Sequence, residues 1–351
     1  MENYLIREYE NIKKTGYHPL PGIIAIEPTY KCNLSCSMCF NKKQHYFKKE
    51  LLAKDFIKFL KGIPKLTSVY FPAREPLFKN DFFEISAYLS RRKIPMVLLT
   101  NGTLINKKNY HKLIYNKNNI IMTSLDGHKD LHNKIRGSIY AFDKTVEAIK
   151  LLKGKCNIHV VSVISEDNLS NLWELPGIVK ELGLRKILFE YERKYTKEDI
   201  NNSLKMMKIK TGFSDLKISK TNMPKYSLNE LKSNIKKIEN ESRKYKIKDE
   251  YLPFYFKKEM TSIYQRKLRE KYKCTCLYLN KARIDPEGNY VHCFAFRKSF
   301  GNILNSSLEE VWFSPEYKEF RKNLLNNNLM PICETCWGMM PIGFKSKIKF
   351  K

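Results

Sequence analysis

Three cysteines fall within eight residues, Cys32-Asn33-Leu34-Ser35-Cys36-Ser37-Met38-Cys39. Three thiolates on one short loop can hold three corners of a cubane iron-sulfur cluster, whereas a structural zinc ion closes its tetrahedron with a fourth ligand. His45 is the only nearby candidate for a fourth position. The spacing therefore points to a metal centre with one position open to a substrate or cofactor. A second group, Cys274, Cys276, Cys293, Cys333 and Cys336, lies near the other end of the chain. Four thiolates from it would saturate either a second cluster or a tetrahedral zinc ion, and both readings stand on spacing alone. Cys156 is isolated and reads as a small buried hydrophobe. Nine cysteines in all, an odd number without a signal peptide, suit metal ligation in a reducing cytoplasm better than a secreted disulfide framework.

The elements that must hold these groups follow from periodicity. Ile23–Ile26, Ser68–Phe71, Met96–Leu99, Ile120–Met122, Ile158–Ile164 and Ile187–Phe189 read as about six short buried strands. Between them lie helical stretches, one carrying Leu52, Phe56, Phe59 and Leu60 before Gly62 and Pro64, another carrying Phe142, Val146 and Ile149 before Gly154. Strands separated by helices imply parallel pairing with right-handed crossovers, because no tight turn reaches a parallel neighbour. The expected fold class is α/β, a partial (β/α)6 TIM-like barrel over residues 23–191, preceded by an N-terminal extension, 1–22. In such barrels the loops after the strands build the active site, and the first cysteine group follows the first strand.

Residues 192–270 lose the strand rhythm and become lysine-rich, with a helix from Leu228 to about Tyr245 and aromatic residues at Tyr251, Phe254, Tyr255 and Phe256; they read as a helical cover and bridge. Residues 271–351 read as a small α+β module. Ala282–Val291 is a hairpin turning through Asp285-Pro286-Glu287-Gly288, Ser306 and Glu309 form a capping box that opens a helix with Val311 and Trp312, and Pro315 starts a second helix with Phe320 and Leu324.

With 351 residues, 42% apolar, the chain can bury a sizeable core, and no stretch approaches the roughly 20 apolar residues of a membrane span. Lys+Arg 65 against Asp+Glu 36 gives +29. Such a charge would suit a nucleic-acid partner. The lysines are spread along the chain among many Asn and Ile, however, so a basic nucleic-acid-binding or modifying iron-sulfur protein is the alternative and not the favoured reading.

The Cys-x3-Cys-x2-Cys spacing after the first strand resembles the hallmark of the radical S-adenosylmethionine superfamily, and further residues extend that resemblance over nearly the whole chain. Ala73-Arg74-Glu75-Pro76 is similar to the family's Gly-Gly-Glu-Pro segment with both glycines replaced, Thr100-Asn101-Gly102 to its Thr-Asn-Gly turn, and Ser124-Leu125-Asp126-Gly127 with His132 and Arg136-Gly137 to a segment of the subgroup with C-terminal auxiliary clusters. The resemblance implies that Cys32, Cys36 and Cys39 bind a [4Fe-4S] cluster whose fourth iron is chelated by S-adenosylmethionine. Reductive cleavage of that cofactor would give a 5′-deoxyadenosyl radical that takes a hydrogen atom from a substrate carbon. It further implies that the Glu75 segment binds the cofactor's amino group, Ser124 its ribose or methionyl part, Arg136 its carboxylate and the Met38 backbone its adenine, with Asn101 beside them.

The C-terminal cysteines, with Gly301-Asn302-Ile303 and Leu308–Trp312, resemble SPASM and twitch modules. One auxiliary [4Fe-4S] cluster is implied, held by Cys276, Cys293, Cys333 and Cys336, with Cys274 as the alternative to Cys276. Cys156 or Cys274 would then be a candidate hydrogen-atom donor to a substrate radical. Expected partners are S-adenosylmethionine, a reductant such as flavodoxin or ferredoxin, and a peptide, carbohydrate or other small-molecule substrate. The roughly 22 residues before the first strand are short for a dedicated leader-peptide domain.

Overall fold

Runs of branched and aromatic residues with buried side chains set the central strands, as expected where both faces of a parallel sheet are covered. In the computed structural model, residues 19–39, 49–193, 196–206, 225–253, 256–265, 267, 272–274, 281–293, 297–326, 329–336 and 338–341 are described. His45, Phe254, Tyr255 and Cys276 lie outside them. The first half runs β1 (Ile23–Ile26), α1 (Ala53–Lys61), β2 (Ser68–Phe71), α2 (Phe82–Arg91), β3 (Met96–Thr100), β4 (Ile120–Ser124), α3 (Lys129–Arg136), α4 (Ala141–Leu152), β5 (Asn157–Ile164), α5 (Leu175–Glu181) and β6 (Lys186–Tyr191). The second half runs α6 (Lys197–Met206), α7 (Leu228–Lys244), β7 (Lys248–Leu252), α8 (Phe256–Tyr264), β8 (Tyr272–Cys274), β9 (Lys281–Ile284), β10 (Asn289–Val291), β11 (Ser299–Asn302), α9 (Leu308–Trp312), α10 (Pro315–Asn326) and β12 (Met339–Pro341).

One ten-stranded sheet takes the order β11-β10-β9-β1-β2-β3-β4-β5-β6-β7. Strands β1 to β7 pair in parallel with helices between them, the partial TIM-like barrel anticipated from the alternation. Ile24, Ala25, Ile26, Val69, Phe71, Leu98, Ile121, Val160 and Ile187 form its buried spine.

Three expectations are corrected. The lysine-rich bridge contains a strand, β7, paired in parallel with β6 from Lys186↔Lys248 to Glu190↔Leu252. Its Lys-Asp-Glu-Tyr-Leu sequence hides it, because an edge strand faces solvent and is charged: Glu250 accepts ion pairs from Lys186 at 2.9 Å and Lys248 at 2.7 Å. The C-terminal hairpin is continuous with the barrel, since β9 pairs in parallel with β1 from Ile23↔Lys281 to Ile26↔Ile284. The capping box of α9 uses Ser307 and Glu310, one residue later than Ser306 and Glu309. That register places Leu308, Val311 and Trp312 in the core, and burial decides between two equally good capping signatures.

Candidate active site

A cavity of about 230 Å³ opens at the C-terminal ends of the barrel strands, and Cys32, Cys36 and Cys39 all line it. The loop after β1 that carries them is held by the loops after β2, β3 and β4. Glu75 donates its backbone N–H to the Lys31 carbonyl at 3.4 Å. The Asn101 amide donates to the side-chain oxygen of Asn33 at 2.9 Å and reaches Cys32 Sγ at 3.9 Å. From the β4 side, the Ser37 N–H donates to the Ile135 carbonyl at 2.8 Å. Gly137 caps α3 with φ +67°, and a Cβ there would sit 2.9 Å from the Ser35 carbonyl oxygen, so the position needs glycine both for its backbone angle and for its contact with the cysteine loop.

The thiols meet N–H donors. Leu34 N–H points at Cys32 Sγ at 3.5 Å, and Arg136 Nη1 at Cys36 Sγ at 3.7 Å. Burial pushes the Cys32 thiol up to about 11 and raises Cys36 as well, which disfavours the bare thiolate at these two positions. Three sulfurs on one loop lining one cavity, two of them offered N–H donors that suit anionic sulfur, fit a cluster bound through three thiolates with its fourth corner toward the cavity.

The other sequence-predicted residues divide. Met38, Asn101, Ser124 and Arg136 line the same cavity as the cysteines. Arg136 is largely committed: Nε and Nη2 clamp Asp126 at 2.6 and 3.0 Å, leaving Nη1 toward Cys36. Burial would raise the Asp126 carboxyl, but the Arg136 charge and the hydrogen bonds outweigh it and hold the group well below the usual carboxylate range.

Glu75 is fully buried and absent from the cavity lining, although Pro72, Ala73 and Arg74 are there. Its carboxylate instead accepts from Thr100 Oγ1 at 2.8 and 3.0 Å, from the Asn101 N–H at 2.7 Å and from the Leu77 N–H at 3.2 Å. Burial lifts it to about 7 against those hydrogen bonds. Arg74, which replaces the second glycine of the resembled segment, adopts φ 63°, the left-handed angle glycine takes most easily. The backbone path therefore survives the substitution.

Cys156 is not brought to the site. It precedes β5 and packs against the core. The eight residues of that strand, Asn157–Ile164, put it about 25 Å from the end that carries the cavity. The fold thus removes Cys156 as a hydrogen-atom donor there.

Sequence reasoning missed a further group of residues lining this cavity. Glu27, Tyr70, Glu190, Arg193, Arg283 and Arg297 line it. Glu27 accepts from Arg283 at 2.6 Å and Arg297 at 2.7 Å, and these two cations hold its carboxyl at about 2 in spite of the burial that would raise it. No local motif marks these residues, and it is the pairing of β9 with β1 that brings the hairpin's arginines to Glu27.

Of the C-terminal cysteines, Cys333 and Cys336 share a tight turn in which the Cys336 N–H donates to the Cys333 carbonyl at 3.0 Å, and Gly338 N–H points at Cys336 Sγ at 3.3 Å. Antiparallel pairing of β8 with β12 sets Cys274 opposite Met339, beside that turn. Cys293 lies two residues beyond the end of β10.

Comparison with known proteins agrees with this geometry. Residues 26–175 match the Radical SAM superfamily and residues 274–337 an iron-sulfur cluster-binding domain, SPASM. The chain is 31% identical over 169 residues to an AdoMet-dependent heme synthase of Methanosarcina barkeri, covering 46% of this chain and 48% of that protein. It is 25% identical over 342 residues to a tungsten-containing aldehyde ferredoxin oxidoreductase cofactor-modifying protein of Pyrococcus furiosus, covering 89% and 86%. The chain spans about half the length of the first of these and most of the second. Among solved structures, Streptococcus suis SuiB, known with S-adenosylmethionine and with its precursor peptide SuiA, superposes with a TM-score of 0.66 at 18% identity. That superposition covers 95% of this chain and 76% of SuiB in its S-adenosylmethionine form, a likeness of fold.

Proposed function

We propose, for a chain that carries a radical S-adenosylmethionine domain followed by a SPASM iron-sulfur domain, that it takes a hydrogen atom from a carbon of a peptide, carbohydrate or other small molecule. When bound, a [4Fe-4S] cluster on Cys32, Cys36 and Cys39, reduced by a donor such as flavodoxin or ferredoxin, supplies methionine and a 5′-deoxyadenosyl radical from S-adenosylmethionine. The barrel's part is to aim and to exclude water. Asn101 and Ser124 border the cavity where the ribose and methionyl groups would lie, the Met38 backbone offers the adenine contact, and Arg136 turns its remaining nitrogen toward the carboxylate and the cluster sulfur. Glu75 acts one step back, fixing the Thr100-Asn101 turn. One auxiliary [4Fe-4S] cluster would be held by Cys293, Cys333, Cys336 and Cys276 or Cys274.

The observation that carries this reading is three cysteine thiols from one loop lining a single cavity and held there by the loops after β2, β3 and β4. The names of the relatives support a modifying enzyme, one acting on a cofactor and one solved with a precursor peptide. The test is oxygen-free reconstitution of the wild type and of a variant with Cys32, Cys36 and Cys39 all changed to Ala. About eight iron atoms per chain should fall to about four, with dithionite-dependent release of 5′-deoxyadenosine lost. An unchanged iron count removes the first site.

A further inference from the structure

Four buried carboxylates stand in or directly behind the cavity wall, and three of them are complete. Asp126 has Arg136, Glu27 has Arg283 and Arg297, and Glu75 has the Thr100 hydroxyl with the Leu77 and Asn101 amides. The fourth, Glu190 on β6, is 6% exposed and lines the cavity. It has no hydrogen bond or ion pair within 4.0 Å among the described residues. Its neighbours on the cavity side of β5, Val161 and Val163, are apolar.

A largely buried carboxyl without a hydrogen-bond donor is costly, and the fold sets against that cost only the charges of Arg193 and Arg136. A group left in this state at a cavity wall is completed by what the cavity receives. We propose that Glu190 is the substrate-recognising carboxyl of this cavity, taking a hydroxyl, amine or amide N–H donor of the substrate. The inference rests on the reading that substrate and S-adenosylmethionine share this cavity, and it narrows the substrate class: a molecule offering only acceptors here leaves the ionised carboxylate unsatisfied and at pH 8 is bound on the order of tenfold more weakly or worse.

The recognition has a pH signature. Burial pushes Glu190 up to about 7, against the charges of Arg193 and Arg136. Tyr70, which lines the same cavity and feels the Glu190 charge, is itself raised by burial to about 12 and stays neutral over the relevant range. Between pH 6 and 8 Glu190 passes from mostly protonated to mostly ionised, and its strength as an acceptor rises.

The test uses the reconstituted full chain with S-adenosylmethionine and no reductant. Saturation-transfer NMR follows two probes of similar size, ethanolamine, which carries hydroxyl and ammonium donors, and 1,2-dimethoxyethane, which carries acceptors only. Ethanolamine should bind the wild type with an affinity that rises about tenfold from pH 6 to 8; in Glu190→Gln, which keeps the shape, that slope should vanish and the pH 8 affinity fall about five- to tenfold. Dimethoxyethane, which can accept only from the protonated carboxyl or from the Gln amide, should gain nothing from pH 6 to 8 and lose nothing in Glu190→Gln. Failure of ethanolamine to bind the wild type, or an unchanged slope in Glu190→Gln, overturns the proposal. The titration needs no turnover, so its outcome is separate from 5′-deoxyadenosine release, which tests the functional reading alone.

Discussion

Gly137 and Gly154 both adopt left-handed backbone angles, φ +67° and +76°, but only the first is pressed against another segment. Gly154→Ala should cost about 1 kcal/mol from strain alone and leave the cysteine loop in place. Gly137→Ala meets the same strain and also displaces the Ser35 carbonyl, so a loss of about 2 kcal/mol should come with reduced iron at the first site after reconstitution. Thermal melts with iron counts on both variants check this, and equal iron retention would refute the contact's importance. Glu190 invites a second residue-scale prediction, now about stability. Its carboxyl is raised from 4.5 to about 7 in the folded chain, so between those values the native state holds a proton that the unfolded state has released. Stability contributed by this group is therefore full below about pH 4.5, falls as pH rises to 7, and levels off above. Glu190→Gln removes that penalty and should be more stable than the wild type at pH 8 by ~1–3 kcal/mol, with no gain at pH 4.5. A loss of stability at pH 8 would mean the carboxyl has a structural partner.

At the scale of elements, the capping register of α9 gives a clean contrast. The Ser307 hydroxyl accepts from the Glu310 N–H at 3.2 Å, while Ser306 bonds through its backbone, its N–H donating to the Asn302 carbonyl at 2.9 Å and its carbonyl accepting from the Tyr290 hydroxyl at 3.0 Å. Ser307→Ala should cost about 1 kcal/mol and Ser306→Ala almost nothing, read from denaturant midpoints; the reverse order would restore the earlier register. The same helix shows what local sequence can and cannot fix. Strands β1 to β6 were legible because each is an apolar run interrupted by helical periodicity, and the hairpin because Asp285-Pro286-Glu287-Gly288 spells its turn, closed by the Gly288 N–H on the Asp285 carbonyl at 2.9 Å. The cysteine loop and the turns after β3 and β4 were legible because their chemistry is local. Strand β7 was not, since a charged edge strand carries no apolar run, and neither was the Glu27-Arg283-Arg297 group, whose members are joined only by a pairing across more than half the chain. The position of Cys156 at the wrong end of β5 is likewise a fact of strand direction, invisible in composition.

The whole molecule ties its two cysteine groups together through that pairing. The segment from β1 to α1, which contains the first cysteine loop, is fastened to the C-terminal hairpin at both ends. Before the loop, the Glu27 N–H donates to the Ile284 carbonyl at 2.9 Å and the Tyr30 hydroxyl to Glu287 at 2.8 Å; after it, the Leu51 N–H donates to the Pro286 carbonyl at 2.8 Å. Glu27 itself is fully buried between two arginines. Loss of its charge would remove the carboxylate that both cations share, a change of about 3–5 kcal/mol in a buried setting. A sheet that continues from barrel to module should unfold as one unit. Variants retaining only Trp173, beside α5, or only Trp312, in α9, should therefore share one denaturant midpoint in the otherwise native chain. Added to each, Glu27→Gln should lower both midpoints and draw them apart, the Trp312 signal moving first because the hairpin loses its anchor while the parallel strands keep theirs. The same linkage sets the acid limit: Glu27 is held at about 2 against 4.5, so its contribution is complete above about pH 4.5 and is lost as pH falls toward 2. If the two tryptophans report different midpoints before Glu27 is touched, barrel and module are independent, and the cysteine loop does not depend on the hairpin for its place at the cavity.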